Sequence, residues 1–249
     1  MSLSNPRMVN PATKFIEYKG EQGIFQFYDK NLEEPKNVTI DMPLFFIVLD
    51  ELSTISGYSD SLQSNFYSNE VHSLTDEILK VKSFKGGFSV TGKYKDIKNE
   101  IMAAGAKFTR SVYAMLITGK DTFELVHFKF VGSSFKGWLE KTFNIQEFGV
   151  QVKTTYQDKK GKTVFQVPVF EKVKIEKERK NIWDAALEMD KRLQEYLKIY
   201  KSVQLEKMET QEVVSNQVEE KEDNWPIGSA KKKANLQHPA DMPADDLPF

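Results

Sequence analysis

The spacing of apolar and polar positions along this chain changes character twice. Over roughly the first 175 residues, apolar side chains come in short runs or alternate with polar ones, as in strands with two unlike faces. Residues 13–19 and 24–28 are aromatic-rich runs joined through Gly20-Glu21-Gln22-Gly23, a hairpin signal. Residues 38–49 form a longer apolar run whose Pro43 predicts a bulge or an edge. Residues 50–69 are rich in Ser, Asn and Gly and predict a long loop. Strands are predicted at 78–84 and 88–94, broken at Gly86-Gly87, and a short helix at 96–104, stopped by Gly105. The clearest strand candidates are 107–118 and 123–131, on either side of Gly119-Lys120-Asp121. A second short helix is predicted at 133–143, with Phe135, Leu139 and Phe143 on one face. A hairpin of 150–156 and 164–170 follows, across Asp158-Lys159-Lys160-Gly161-Lys162.

From about residue 177 the period becomes helical. Ile182, Trp183, Ala186, Leu187, Leu193, Tyr196, Leu197 and Tyr200 recur at threes and fours on a charged background. This stripe is expected to pack on the strands of its own chain; self-association through Trp183 is the alternative. Beyond residue 203, an acidic, Gln-rich stretch leads into one broken by Pro226, Gly228, Pro239, Pro243 and Pro248. Such a segment buries too little apolar surface to offset its ordering entropy. The expected fold is therefore mainly β with short helices. Residues 1–175 are expected to form a β-rich body, 176–204 an amphipathic helix, and 205–249 a flexible acidic tail. A helix inserted late among strands suggests an elaborated OB-like barrel, the five-stranded oligonucleotide/oligosaccharide-binding architecture.

Composition narrows the chemistry. The 249 residues include 18 Phe, 9 Tyr and 3 Trp, enough for a sizeable core, and no Cys. Disulfides, thiolate metal sites and thiol nucleophiles are thereby excluded. His72, His127 and His238 are far apart in sequence, so neither a metal nor an organic cofactor is expected. No apolar run reaches membrane-spanning length, and residues 1–11 lack the apolar stretch of a signal peptide. A soluble cytoplasmic protein without membrane contact is expected.

The formal charge of −1 conceals a strong asymmetry. Residues 1–79 carry a net −7, residues 80–180 a net +11, residues 181–203 zero and residues 204–249 a net −5. A basic middle third inside a near-neutral chain fits a polyanion such as nucleic acid. The same third interleaves cations with aromatics: Lys82, Phe84, Lys85, Phe88, Lys93, Tyr94 and Lys95, then Lys107, Phe108, Arg110 and Tyr113, then His127, Phe128, Lys129 and Phe130. Cations track phosphates, and flat side chains stack on unpaired bases whatever their identity. The phosphate contacts are assigned to Lys85, Lys93, Lys95, Lys107, Arg110 and Lys153. Stacking is assigned to Tyr94, Tyr113 and Tyr156, with Phe88 and Trp138 as further candidates. Alternation in 107–114 puts Lys107, Thr109, Ser111 and Tyr113 on one face, taken as the ligand face, and Phe108 with Val112 on the other.

No catalytic group is expected. Gly87-Phe88-Ser89-Val90-Thr91-Gly92-Lys93 has the spacing of a phosphate-binding loop. Tyr94, however, stands where magnesium coordination needs a Ser or Thr hydroxyl, and Phe88 and Val90 alternate as in a strand. No Gly-x-Ser-x-Gly elbow and no His-Glu-x-x-His appears.

The chain ends Asp241-Met242-Pro243-Ala244-Asp245-Asp246-Leu247-Pro248-Phe249. This closely resembles the acidic tip of bacterial single-stranded DNA-binding proteins, in which acidic residues precede a terminal apolar–Pro–Phe. The layout of basic β-rich body, low-complexity linker and tip is similar too. Ser68-Asn69-Glu70-Val71, Gly92-Lys93-Tyr94-Lys95-Asp96-Ile97-Lys98 and Ser111-Val112-Tyr113 also resemble stretches of phage-encoded proteins of this kind. The resemblance implies sequence-independent single-stranded DNA binding in replication, recombination and repair, in a bacterial host cytoplasm if the protein is phage-encoded. It further implies that Asp241, Asp245, Asp246, Leu247, Pro248 and Phe249 recruit replication or recombination proteins. A homo-oligomer is compatible with this reading. The alternatives are a nucleic-acid-processing enzyme with a recruiting tail, and a mediator that anneals strands or an adaptor.

Overall fold

β4, Leu44–Ser59, is the axis of the protein, because each of its halves serves a different set of neighbours. In the computed structural model, which describes residues 9–145, 147–175 and 179–218, the described residues form eleven strands and three helices. Before β4 come β1 Lys14–Lys19, β2 Ile24–Asp29 and β3 Lys36–Ile40. After it come β5 Ser64–Ser68, β6 Leu79–Ser83, β7 Ser89–Gly92 and α1 Tyr94–Ala103. Next are β8 Lys107–Ile117, β9 Phe123–Phe130, α2 Ser133–Leu139, β10 Gly149–Lys160, β11 Thr163–Val173 and α3 Lys180–Val218. The chain divides into two compact units, Met1–Tyr200 and Lys201–Phe249. The described part of the second continues α3 as far as Val218.

The strands form one sheet in the order β3-β2-β1-β9-β8-β4-β5-β6-β7, with β10 paired to the first half of β4 and β11 to β10. Every pairing is antiparallel except β1 with β9, which is parallel. The path is open, so the closed barrel expected from the sequence is not formed. The reason lies in β4: Phe46–Ser56 pair with β8, while on its other edge Leu44–Phe46 hold β10 and Gly57–Ser59 hold β5. A register shift between Val48 and Asp50 separates the two halves, and the extra residue of a bulge bends the strand there.

Two strands stand where a loop was expected. The second half of β4 and β5 lie within the Ser- and Asn-rich residues 50–69. They are held by hydroxyls as well as by apolar burial. Thr54 Oγ1 lies 2.9 Å from Ser68 Oγ, Ser56 Oγ 2.6 Å from Thr109 Oγ1, and the Ile55 amide donates to Ser68 Oγ at 2.8 Å. The apolar run 38–49 is also divided, between β3 and β4.

Four apolar groups among the described residues anchor the sheet, two of them under α3. The largest surrounds Trp138 of α2 with Phe46, Phe128, Phe130, Val150 and Phe170. α2 can lie this close to β11 because residue 137 is glycine: a Cβ there would sit 2.2 Å from the Pro168 carbonyl oxygen. A second group packs α1 on β5–β7 through Phe66, Leu79, Val81, Tyr94 and Ile97. The opposite face of the sheet receives α3. Ile182, Ala186, Leu193 and Leu197 pack against Ile47, Leu52, Tyr113, Met115 and Leu125, the i, i+4 spacing expected of an amphipathic helix on its own body. No helix among the described residues is long and apolar enough to cross a membrane.

Candidate nucleic-acid interface

Strand register carries one sheet face from β2 across to β7. Gln26 is opposite Glu17, Phe15 opposite His127, Lys129 opposite Ser111, and Lys107 opposite Ser56. Beyond the β4–β5 turn, Lys82 lies opposite both Tyr67 and Ser89. Paired residues point the same way and the side-chain period is two. Phe15, Lys129, Lys107, Ser56, Tyr67, Lys82 and Ser89 therefore share a surface, with Tyr28 and Phe84 two residues along from Gln26 and Lys82.

α3 covers only part of that face. Phe15, Tyr28, Tyr67 and Phe84 are exposed, Phe84 at 81%. Tyr67 and Phe84 meet edge to face with centroids 6.2 Å apart. Lys107 is exposed and Lys82 and Lys129 are half-buried. None of the three forms an ion pair with a described residue, whereas Lys14, Lys136 and Lys153 elsewhere do. Exposed aromatics that meet on a surface, as Tyr67 and Phe84 do, are one mark of a binding face.

The floor of this surface is a polar cluster under α3. Glu70, between β5 and β6, accepts from Tyr113 Oη at 2.8 Å through Oε2 and from Ser111 Oγ through Oε1. His127 Nε2 contacts Ser111 Oγ and lies 3.3 Å from Glu70 Oε1. The His127 ring stacks on Tyr113 with centroids 4.4 Å apart and 4° between planes, and Asn10 Nδ2 donates to Tyr113 Oη at 3.0 Å. Burial alone would raise the Glu70 carboxyl, but the donors His127, Ser111 and Tyr113 together hold it below the ordinary carboxylate range. Burial and then the Glu70 charge push the Tyr113 phenol far up. The Tyr196 phenol is raised by the same two causes.

A Ser–His–Glu grouping invites a catalytic reading, and the geometry argues against it. A nucleophile relay needs the acid on one imidazole nitrogen and the hydroxyl on the other. Here Glu70 and Ser111 both use Nε2, and His127 Nδ1 is buried without a partner. Residues 87–93 likewise do not form a phosphate cradle. Ser89–Gly92 are strand β7, with Val90 opposite Val81 and Gly92 opposite Leu79, and Lys93 precedes α1 without a side-chain cap. Among the described residues no group of three or more His, Asp or Glu is placed to hold a metal ion.

The residues expected to bind DNA are scattered by the fold. Lys107 lies on the open face. Lys85 is exposed in the turn between β6 and β7, beside Phe84, and Lys95 is exposed on α1. Tyr113 is on the expected face but is 0% exposed, because α3 and Glu70 cover the far end of β8. Trp138, at 1%, belongs to the core and donates Nε1–H to Glu51 Oε1 at 2.6 Å. Tyr94 is buried against Phe108, 5.7 Å between centroids, and burial raises its phenol. Phe88 packs edge to face on Phe66 at 5.3 Å. Arg110 is half-buried on the other sheet face, donating to Ser53 Oγ at 2.9 Å with its guanidinium 5.6 Å from the Phe108 ring centroid. Lys93 is half-buried. Lys153 pairs with Glu171 at 3.7 Å, and Tyr156 donates to Glu140 at 2.6 Å. The assignments of Tyr94, Tyr113 and Trp138 as stacking residues are therefore corrected to core residues.

Four exposed aromatics were missed. Phe15 and Tyr28 lie in the acidic first third, where charge gave no reason to look. Tyr67 lies in the stretch taken as loop. Phe84 was in the basic–aromatic run, and its position in a Lys-Gly-Gly turn was the available signal. The tip, Asp241, Asp245, Asp246, Leu247, Pro248 and Phe249, lies outside the described residues. No family model, curated protein or solved structure matches the chain.

Proposed function

We propose that the chain binds single-stranded DNA without regard to sequence through the open face of the sheet. The observation that carries the reading is the set Phe15, Tyr28, Tyr67 and Phe84, exposed among Lys82, Lys107 and Lys129, which form no ion pair with any described residue. Stacking platforms spaced by cations are what an unpaired strand needs, since its bases are free to unstack and its phosphates remain charged. A duplex keeps its bases inside and gains nothing from the rings. In this proposal the tip residues 241–249 recruit replication or recombination proteins, as the resemblance of the sequence suggests. The sheet around Trp138 is then an elaborated OB-like half. Supporting this are the position of α2 between β9 and β10 and one backbone hydrogen bond, Gln166 N–H to Gly20 O at 2.7 Å, which draws β11 toward the β1–β2 turn.

Fluorescence titration of single strands and of duplex at two salt concentrations tests the reading. Tyr67→Ala and Phe84→Ala should each weaken single-strand binding by about 1–3 kcal/mol without lowering the melting temperature. Neutralising Lys82, Lys107 and Lys129 together should flatten the slope of log K against log salt by about 2. Deleting residues 241–249 should leave this affinity in place. Equal affinity for duplex, or no effect of both aromatic substitutions, overturns the proposal.

A further inference from the structure

We propose that the cavity in the middle of the open face takes in one unstacked base, and that it favours bases carrying an exocyclic amino group over thymine or uracil. This rests on the single-strand reading above and adds the chemistry of one position within it.

The cavity has a volume of about 210 Å³ and is lined by the side chains of Phe15, Tyr67 and Tyr196 on the open face, together with Glu70 and Lys129. A space of this size is on the scale of one flat heterocycle and not of a whole nucleotide. Aromatic side chains on the walls suit a base, which carries a π-face whatever its identity. The charges fix its orientation. Glu70 is held ionised by its donors, so a phosphate is repelled from the interior, while Lys129 can keep the phosphate of the same nucleotide outside.

Selectivity follows from counting acceptor sites. A carboxylate offers about four lone-pair positions. Ser111 and His127 occupy the Oε1 side and Tyr113 takes one position on Oε2. One position on Oε2 is left, and it can only accept. Cytosine N4, adenine N6 and guanine N2 each bring an amino hydrogen to it. Thymine and uracil bring a carbonyl oxygen to the place of the cytosine amino group, against a negative charge. A partly buried carboxylate facing a carbonyl loses a hydrogen bond and gains a repulsion. The rest of the strand, lying across Tyr67, Phe84 and Lys107, remains indifferent to sequence.

The test needs no variant in its first arm. Two oligonucleotides of about sixteen residues, one of thymidine and one of 5-methyldeoxycytidine, share ring size and methyl group and differ only at the pairing edge. Anisotropy titrations of the full chain should give the 5-methylcytosine strand the tighter binding, by about tenfold, as expected for one charge-assisted hydrogen bond. Glu70→Gln should shrink the ratio to less than about twofold, because an amide can meet either edge; a thermal melt of that variant establishes that it folds. Lys129→Ala should weaken both strands alike and leave the ratio unchanged. Equal affinity of the unaltered protein for the two strands overturns the base-pocket proposal. If Tyr67→Ala and Lys107→Ala still weaken both, the surface reading survives alone. Failure of the protein to bind either strand overturns both.

Discussion

Replacing Trp138 by Phe separates a core role from a DNA-stacking role. The indole is 1% exposed, in contact with Phe46, Phe130 and Phe170 at centroid distances of 6.4, 4.9 and 5.0 Å. Its Nε1–H donates to the Glu51 carboxylate at 2.6 Å, and Lys141 Nζ lies 4.1 Å from the ring centroid. Phe keeps an aromatic ring but removes the donor and leaves part of the site empty. A hydrogen bond to a charged group is worth about 1.5–3 kcal/mol, and cavity formation adds to it, so a loss of about 2–4 kcal/mol is expected. For a domain of this size that is a fall of roughly 5–15 °C in melting temperature. Glu51→Gln, which keeps an acceptor for the indole, should cost less. The double variant should show coupling, since the two residues share one interaction. Urea unfolding and single-strand titration are performed on the same samples. Affinity per folded molecule should be unchanged by Trp138→Phe. A weakened affinity with an unchanged unfolding midpoint would place the indole on the DNA and refute the core assignment.

Leu193→Ala, at a fully buried contact of α3 with the sheet, should destabilise by about 2–5 kcal/mol at any protein concentration; a loss that fades on dilution, followed by sedimentation, would instead point to contact between copies. Gly137→Ala should cost about 1–3 kcal/mol or more, because its Cβ meets the Pro168 carbonyl rather than a side chain able to turn aside, and urea midpoints measure it. The lowered Glu70 carboxyl predicts a pH dependence of defined sign. Its stabilising contribution is complete above the ordinary carboxylate value of 4.5 and is lost as pH falls through the lower folded-state value. Wild type should therefore lose more stability than Glu70→Gln between about pH 5 and pH 3; parallel curves would refute it.

Much of the local structure was legible because it rests on near neighbours. β8 and β9 and the hairpin of β10 and β11 show strand alternation and glycine-bearing turns, and α3 shows its stripe. β5 and the second half of β4 were not legible, since hydroxyls of Thr54, Ser56 and Ser68 hold a strand whose composition reads as loop. The open face was legible only in part. Alternation correctly put Lys107 and Tyr113 on one face, yet could not show that Leu193 and Leu197, some eighty residues later, cover Tyr113. Tyr94 and Trp138 share the basic third with the lysines, but sequence proximity to cations says nothing about which way a ring points. Glu70, Ser111 and His127 come from separate elements and carry no shared motif.

The parallel pairing of β1 with β9 sets a timetable for synthesis. Thr13 bonds to Leu125 across 112 residues of chain. A ribosome adding about 5–20 residues per second would leave β1 without that neighbour for roughly 6–22 s after it emerges. During that interval the β1–β2–β3 meander has its hairpin bonds but an open edge, with Ile16 and Phe25 uncovered. A nascent chain of this protein is thus expected to need shielding of its first forty residues until β9 has been made.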